Sequence, residues 1–306
     1  MADVSEPRPL DVARLRVLRE VGLRGTIAAA ARSLGLTASA VSQQLSALER
    51  EAGTALVDRT PRGVVLTAAG RALAARAEEV VEVLAAARAD LDRLAGVIGG
   101  AVRVAAVASA ATTFVSAAAT AIATGHADLT LSVVVAEPPR AVDLLLRGDV
   151  ELAVVDEYDY VPLAVPDPLV TEQLLVEPLV AVLPAEWHGP RRPALAALAE
   201  ENWVMPPDDA SCGLAVRSAC RTAGFEPRVR WTSDDMHVLT AAVAAGHGVA
   251  VLPRLSVPSG VPGLQVRPIA QPRLERRLTT VARPSVLARP AVPIVARALA
   301  AAAARA

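Results

Sequence analysis

Residues 26–50, TIAAAARSLGLTASAVSQQLSALER, set small hydrogen-bonding side chains at helical spacing. Val41, Leu45 and Leu48 recur at i, i+4 and i+7, which marks one buried stripe. Ser39, Ser42, Gln43 and Ser46 then fall on the outward face, with Gln44 beside them. A Gln amide can pair bidentately with an adenine edge, and a Ser hydroxyl can serve a base or a phosphate. That face suits readout of a duplex groove, and Arg32 and Thr37 just before it join the candidate set. A second group follows in LVDRTPRGVVLTAAG, residues 56–70, where Arg59 and Arg62 flank Thr60-Pro61. Gly63 permits a tight turn and Val64–Leu66 reads as a short strand, so the two Arg sit at the tip of a β-wing. Arg in that position can enter a minor groove or clamp phosphate.

Local elements must hold these groups. Thr26 caps a helix whose small apolar face is Ala30, Ala31 and Leu34; Gly35 ends it, Leu36 plugs the turn and Thr37 caps the next helix. The spacing predicts a helix-turn-helix whose second helix lies in a major groove. From Thr67 a long helix is expected, with Leu73, Ala77, Val80, Leu84, Ala87, Leu91 and Leu94 spaced alternately by four and three. That is a heptad seam, predicted to pair with a second copy; the alternative is a helix packed on its own chain.

Charge is distributed to match. All 31 Lys+Arg positions are Arg, against 32 acids, for a net charge of −1. Residues 1–66 carry nine Arg and seven acids, 67–96 four and five, and 97–306 eighteen and twenty. The positive excess therefore lies in the head, and a chain basic throughout is excluded. Aromatic residues are 2% of the chain, too few for stacking along single strands.

Beyond Gly99-Gly100 the texture changes to strands alternating with helices. Strands at Val102–Val107, Leu129–Val135 and Val150–Val155 enclose helices at Thr113–Thr124 and Pro139–Arg147, which implies parallel βαβ units. The pattern restarts at Leu179–Leu183 and runs to Val249–Leu252, giving two α/β lobes, with a helical stretch Ala291–Ala304 packing back. No Walker loop, G-x-S-x-G elbow or H-E-x-x-H helix occurs, and His126, His188, His237 and His247 are scattered, so an enzyme is not expected. The polar N-terminus and the lack of a long apolar run give the expectation of a cytoplasmic protein without a membrane partner. No cofactor or metal is expected.

The order of these elements, and AAARSLGLTASAVSQQLSALEREAGTALVDRTPRGVVLTAAG in particular, resembles the LysR-type transcriptional regulators. DLLLRGDVELAVV (143–155) and TSDDMHVLTAAVAAGHGVAVLPR (232–254) extend the resemblance over nearly the whole chain. It implies an α+β multidomain fold. Residues 1–66 would form a winged helix-turn-helix, 67–96 a linker and dimerisation helix, and 97–306 a two-lobed α/β effector module similar to type 2 periplasmic binding proteins. Lobe I would take about 97–171 and 275–306, and lobe II about 172–274, with crossings near Val170–Glu172 and Gln271–Arg276. The implied partners are double-stranded promoter DNA, a small-molecule effector and further copies of the chain in a homodimer or tetramer.

Effector contacts are expected at strand ends and helix starts of the two lobes. The candidates are Ser109, Thr112 and Thr113 after the first strand, Glu137 after the second, Asp156 after the third, and Thr232 and Asp234 in lobe II. The hydroxyls suit a carboxylate and the acids an amino group, so a carboxylate or an amino acid fits. Thr112, Ser233 and Asp234 read equally well as helix caps. Cys212 and Cys220 raise a thiol-based redox alternative, since a branch of the family uses two cysteines here. Eight residues apart on one helix they would lie roughly 12 Å apart, too far for a disulfide, so two packed thiols are expected. An architectural DNA binder without an effector is the other alternative.

Overall fold

The computed structural model describes residues 9–61, 63–94 and 99–306, and within the long helix it leaves the side chains at 82, 85, 86, 88, 89 and 92–94 undescribed. The chain divides into two compact units, Met1–Gly96 and Val97–Ala306.

The first unit opens with three helices, α1 (Val12–Arg24), α2 (Ile27–Leu34) and α3 (Ala38–Ala52). Each is capped by the residue its sequence offers: Asp11, Thr26 and Thr37 accept from the backbone N–H three residues on, which satisfies one orphan donor at each start. Gly35 closes α2 with φ at 66°, a left-handed turn that a side chain would strain. Leu36, expected to plug this turn, is 39% exposed; its backbone N–H, bonded to Ala31 O at 2.9 Å, holds the turn instead. A two-stranded wing follows, β1 (Val57–Thr60) against β2 (Gly63–Leu66), with Arg59 opposite Val64. Glu49 of α3 accepts from the Leu56 and Val57 N–H groups, so α3 itself anchors the wing. The long helix α4 spans Ala68–Leu94. Gly70 lies where any Cβ would collide with the Leu56 carbonyl, and that close approach seats α4 against the wing. Leu15, Val17, Leu18, Val21, Val41, Leu45, Leu48 and Ala77 form the common core.

The second unit is built on one long strand. β3 (Gly100–Ala106), β4 (Leu129–Val135) and β5 (Leu152–Tyr158) are parallel, in the order β4-β3-β5. A helical run links β3 to β4: α5 (Ala108–Ala110), a π-turn at Ala111–Val115 and α6 (Ser116–Gly125), starting five residues ahead of the expected Thr113. Between β4 and β5 lies α7 (Pro138–Arg147). β6 (Val170–Pro184) pairs through Pro178 with β11 (Glu275–Ala282), and from Leu179 onward with β9 (Ala250–Pro253) and β10 (Leu264–Pro268). The passage out of lobe I therefore falls at Pro178–Leu179, not at Val170–Glu172, because β6 stays in the lobe I ladder up to Pro178, which pairs with Glu275, the first residue of antiparallel β11. The return lies just before β11. Lobe II also holds the parallel pair β7 (Asn202–Met205) and β8 (Arg228–Thr232), with α8 (Ser211–Thr222) and α9 (Met236–Ala244). α10 (Pro284–Leu287) and α11 (Ala291–Ala303) close the chain, and α11 buries Val292, Val295 and Leu299 in the core of lobe I. Each lobe has an apolar core on both faces of its sheet.

Candidate functional site

In the first unit the buried stripe of α3 is complete: Val41, Leu45 and Leu48 are 0%, 1% and 0% exposed. Their burial fixes the rotation of α3, and the opposite face is left to solvent. Arg32, Thr37, Ser39 and Gln43 are exposed, while Ser42, Gln44 and Ser46 are half-buried at the flanks. The side chains of Ser39, Ser42, Gln43, Gln44 and Ser46 bond to no described residue, so their donors and acceptors are available. Thr37 is partly committed, because its hydroxyl oxygen caps α3. Arg59 is exposed on β1; Arg62 lies outside the described residues.

Within the second unit the C-terminal ends of β3, β4 and β5 form one edge, the usual place for a ligand on an open parallel sheet. Ser109 follows β3 and is buried, and Glu137 precedes α7. Thr112 and Thr113 do not open a helix; they sit inside the helical run and donate their hydroxyls to Ala108 O and Ser109 O, at 3.1 and 2.6 Å. Their donors are already engaged. In lobe II Thr232 ends β8, and the cap of α9 is Asp235, which accepts from His237 N at 2.8 Å. Asp234 is thereby free of capping and exposed.

Asp156 has a different setting from the one expected. It is 6% exposed and accepts from Arg276 Nη1 at 3.1 Å and from Tyr158 Oη at 3.0 Å. Arg276, 2% exposed, also donates from Nε to Glu177 Oε1 at 2.8 Å, with Nη2 on the same oxygen. The other Glu177 oxygen accepts from Leu255 N at 2.7 Å. Sequence reading found Asp156 and missed Arg276, Tyr158 and Glu177. The available signal was the Arg276-Arg277 pair at the predicted re-crossing, where a strand should be apolar.

These groups face lobe II. Burial lifts the Cys212 thiol to about 12, against the pull of Arg276, and holds the Tyr158 hydroxyl well above its ordinary value, so it stays a neutral donor. Loss of hydration raises the Glu137 carboxyl; Asp156 adds to this, Arg276 opposes it and Asp234 adds again. Glu137 of lobe I and Asp234 of lobe II therefore feel each other, together with Asp156. Ser109, Glu137 and Asp156 share one sheet edge, and Thr232 and Asp234 lie together on the facing lobe.

The family models decide what kind of molecule carries this arrangement. Residues 12–71 match the bacterial regulatory helix-turn-helix protein of the lysR family, and residues 95–304 match the LysR substrate binding domain. The chain belongs to the LysR family of transcriptional regulators. A probable HTH-type transcriptional regulator, LrrA of Synechococcus elongatus, is 26% identical over 92% of this chain and 94% of that protein. The small neutral protease regulatory protein of Streptomyces coelicolor is 32% identical over 95% and 93%. Full-length OxyR from Pseudomonas aeruginosa shares the fold, with a TM-score of 0.73 at 20% identity over 95% of each chain.

In this LysR-family chain the seam of the linker helix divides. Ala77 is fully buried in the head, so its own chain occupies that position, and Leu73, half-buried, packs against the same core. Val80 is half-buried, Leu84 and Leu91 are 50% and 60% exposed, and Ala87 is exposed; the Leu94 side chain lies outside the described set. Cys212 and Cys220 share α8 and are both buried. Burial lifts Cys220 to about 12 as well, and a thiol without thiolate character is a poor peroxide sensor. No described helix is long and apolar enough to cross a membrane.

Proposed function

We propose that this regulator reads promoter DNA through the free face of α3 and the Arg-tipped wing, under control of a small molecule held between the lobes. The observation that carries the DNA reading is the α3 face: its polar groups are unpaired while its apolar face is locked in the core. Ser39, Ser42, Gln43, Gln44 and Ser46 read base edges; Arg32, Thr37, Arg59 and Arg62 hold backbone or minor groove. Leu84, Ala87 and Leu91, with Val80 and Leu94, pair the linker helices, so two heads address half-sites one helical turn or a multiple apart. A tetramer doubles that arrangement.

The effector sits among Ser109, Glu137, Thr232 and Asp234, with Thr112 and Thr113 at its edge, and is a carboxylate or an amino acid; Asp156, bonded to Arg276 and Tyr158, is not among its contacts. Its binding shifts the population between lobe orientations, which requires different affinity for the two. The protein acts in the cytoplasm and performs no catalysis. Selection of double-stranded DNA from a random pool with the full chain tests the DNA reading. A dyad-symmetric motif is expected; a pool that stays unenriched overturns it.

A further inference from the structure

The buried ions of the second unit sit where the two lobes exchange side chains. Tyr158 ends a lobe I strand, yet it is buried in the lobe II core with Leu179, Met205 and Cys212. Leu255, in the Arg254–Ser256 turn after β9 of lobe II, packs against the lobe I core. Between these two plugs lies Arg276, at the start of the returning strand, bonded to Asp156 of β5 and to Glu177 of the outgoing strand. Glu177 then reaches Leu255 N with its second oxygen. One carboxylate therefore ties together the outgoing strand, the returning strand and the lobe II turn.

Elsewhere in the same unit another buried acid is bonded at least as fully without joining the lobes. Glu151, 6% exposed, accepts from Arg103 N, Nε and Nη2 and from Arg289 Nη1, all within lobe I. Buried ion pairs add little net stability, and their attested use is to fix one arrangement among several. From that contrast we infer that Glu177, held by Arg276 and braced by Tyr158 and Leu255, is the pivot that sets the orientation of lobe II on lobe I. It is a positioning residue: it touches no effector, and the sensing cleft opens and closes about it. The inference deepens the effector reading above, but its test reads lobe geometry with no effector present, so either can fail alone.

Arg276 and Leu255 N bond to different oxygens of Glu177; a Gln at 177 replaces one of those oxygens with an NH2 that cannot accept, so one of the two donors loses its partner. The experiment places spin labels on the exposed helix positions Arg140→Cys in lobe I and Arg221→Cys in lobe II of the full chain, diluted with unlabelled chain. The interlobe distance is then measured in Glu177→Gln and in Glu151→Gln. The native thiols, buried, escape labelling. Expected is one narrow distance in the parent and in Glu151→Gln, and a second, separated distance or a broadened distribution in Glu177→Gln. An unchanged distribution in Glu177→Gln, or equal broadening in Glu151→Gln, overturns the pivot. Should Glu177→Gln fail to fold, Tyr158→Phe removes only the bond to Asp156; broadening there supports the pivot and a parental distribution overturns it.

Discussion

On the outward face of α3 the Ser and Gln side chains are unpaired, with Ser39 and Gln43 exposed opposite a sealed apolar stripe. In the two-lobed unit the polar groups at the lobe junction are the reverse: Asp156, Glu177 and Arg276 are buried, and both carboxylates are bonded to the guanidinium. A group that must recognise a partner is left without one in the chain, whereas a group that must hold a geometry is supplied with all of its partners. The difference predicts how substitutions divide. Those on the head should move affinity and leave stability alone, and those at the lobe junction should move stability or geometry first.

The largest effect should come from Arg276→Met. It strands two buried carboxylates, and breaking such a cluster costs about 3–5 kcal/mol. Calorimetry of the full chain should show the transition of the second unit falling while that of the head stays in place. Gln43→Ala comes next: operator affinity should fall by about 1–3 kcal/mol, with the unfolding transition unmoved because the side chain has no described partner. Arg59→Ala should weaken selected and random duplexes alike and reduce the salt slope by about one, measured by titration at several salt concentrations.

Glu137→Gln should give the smallest change. Its carboxyl is raised in the folded chain, first by lost hydration and then by Asp156, so its ionised form opposes folding. Above the raised value the Gln variant should melt slightly higher than the parent, and the gap should close as pH falls below the ordinary carboxylate range, where both states are protonated. A melting curve at neutral and acidic pH checks the sign. If Gln43→Ala destabilised the head, or Arg276→Met left the second unit untouched, the contrast between the two regions would break.

Legibility in the sequence followed the same division. The signals that mark α3 are local: caps at Thr26 and Thr37, Gly35 at the turn, and a stripe at Val41, Leu45 and Leu48 within one helix. Those signals lie within a few residues of one another, and periodicity reads them directly. The lobe junction joins residues 156, 177 and 276, separated by 99 and 120 positions, and no spacing rule connects them. Asp156 looked like an open ligand contact because its strand-end position was legible and its partner was not. Periodicity along α4 was also ambiguous in a physical sense. It marks an apolar face, but not whether that face meets its own head, as at Ala77, or is left open, as at Leu84. Thr112 and Thr113 were legible as donors, but not that helix carbonyls already take their protons.

The most direct measurement is the affinity of the parent and of Gln43→Ala for every single base-pair change in a selected operator. The parent should lose about 1–3 kcal/mol when one adenine-bearing pair in each half-site is replaced, and the variant should be indifferent at that pair while keeping its other preferences. Identical profiles for the two proteins would contradict the assignment of the free α3 face to sequence readout.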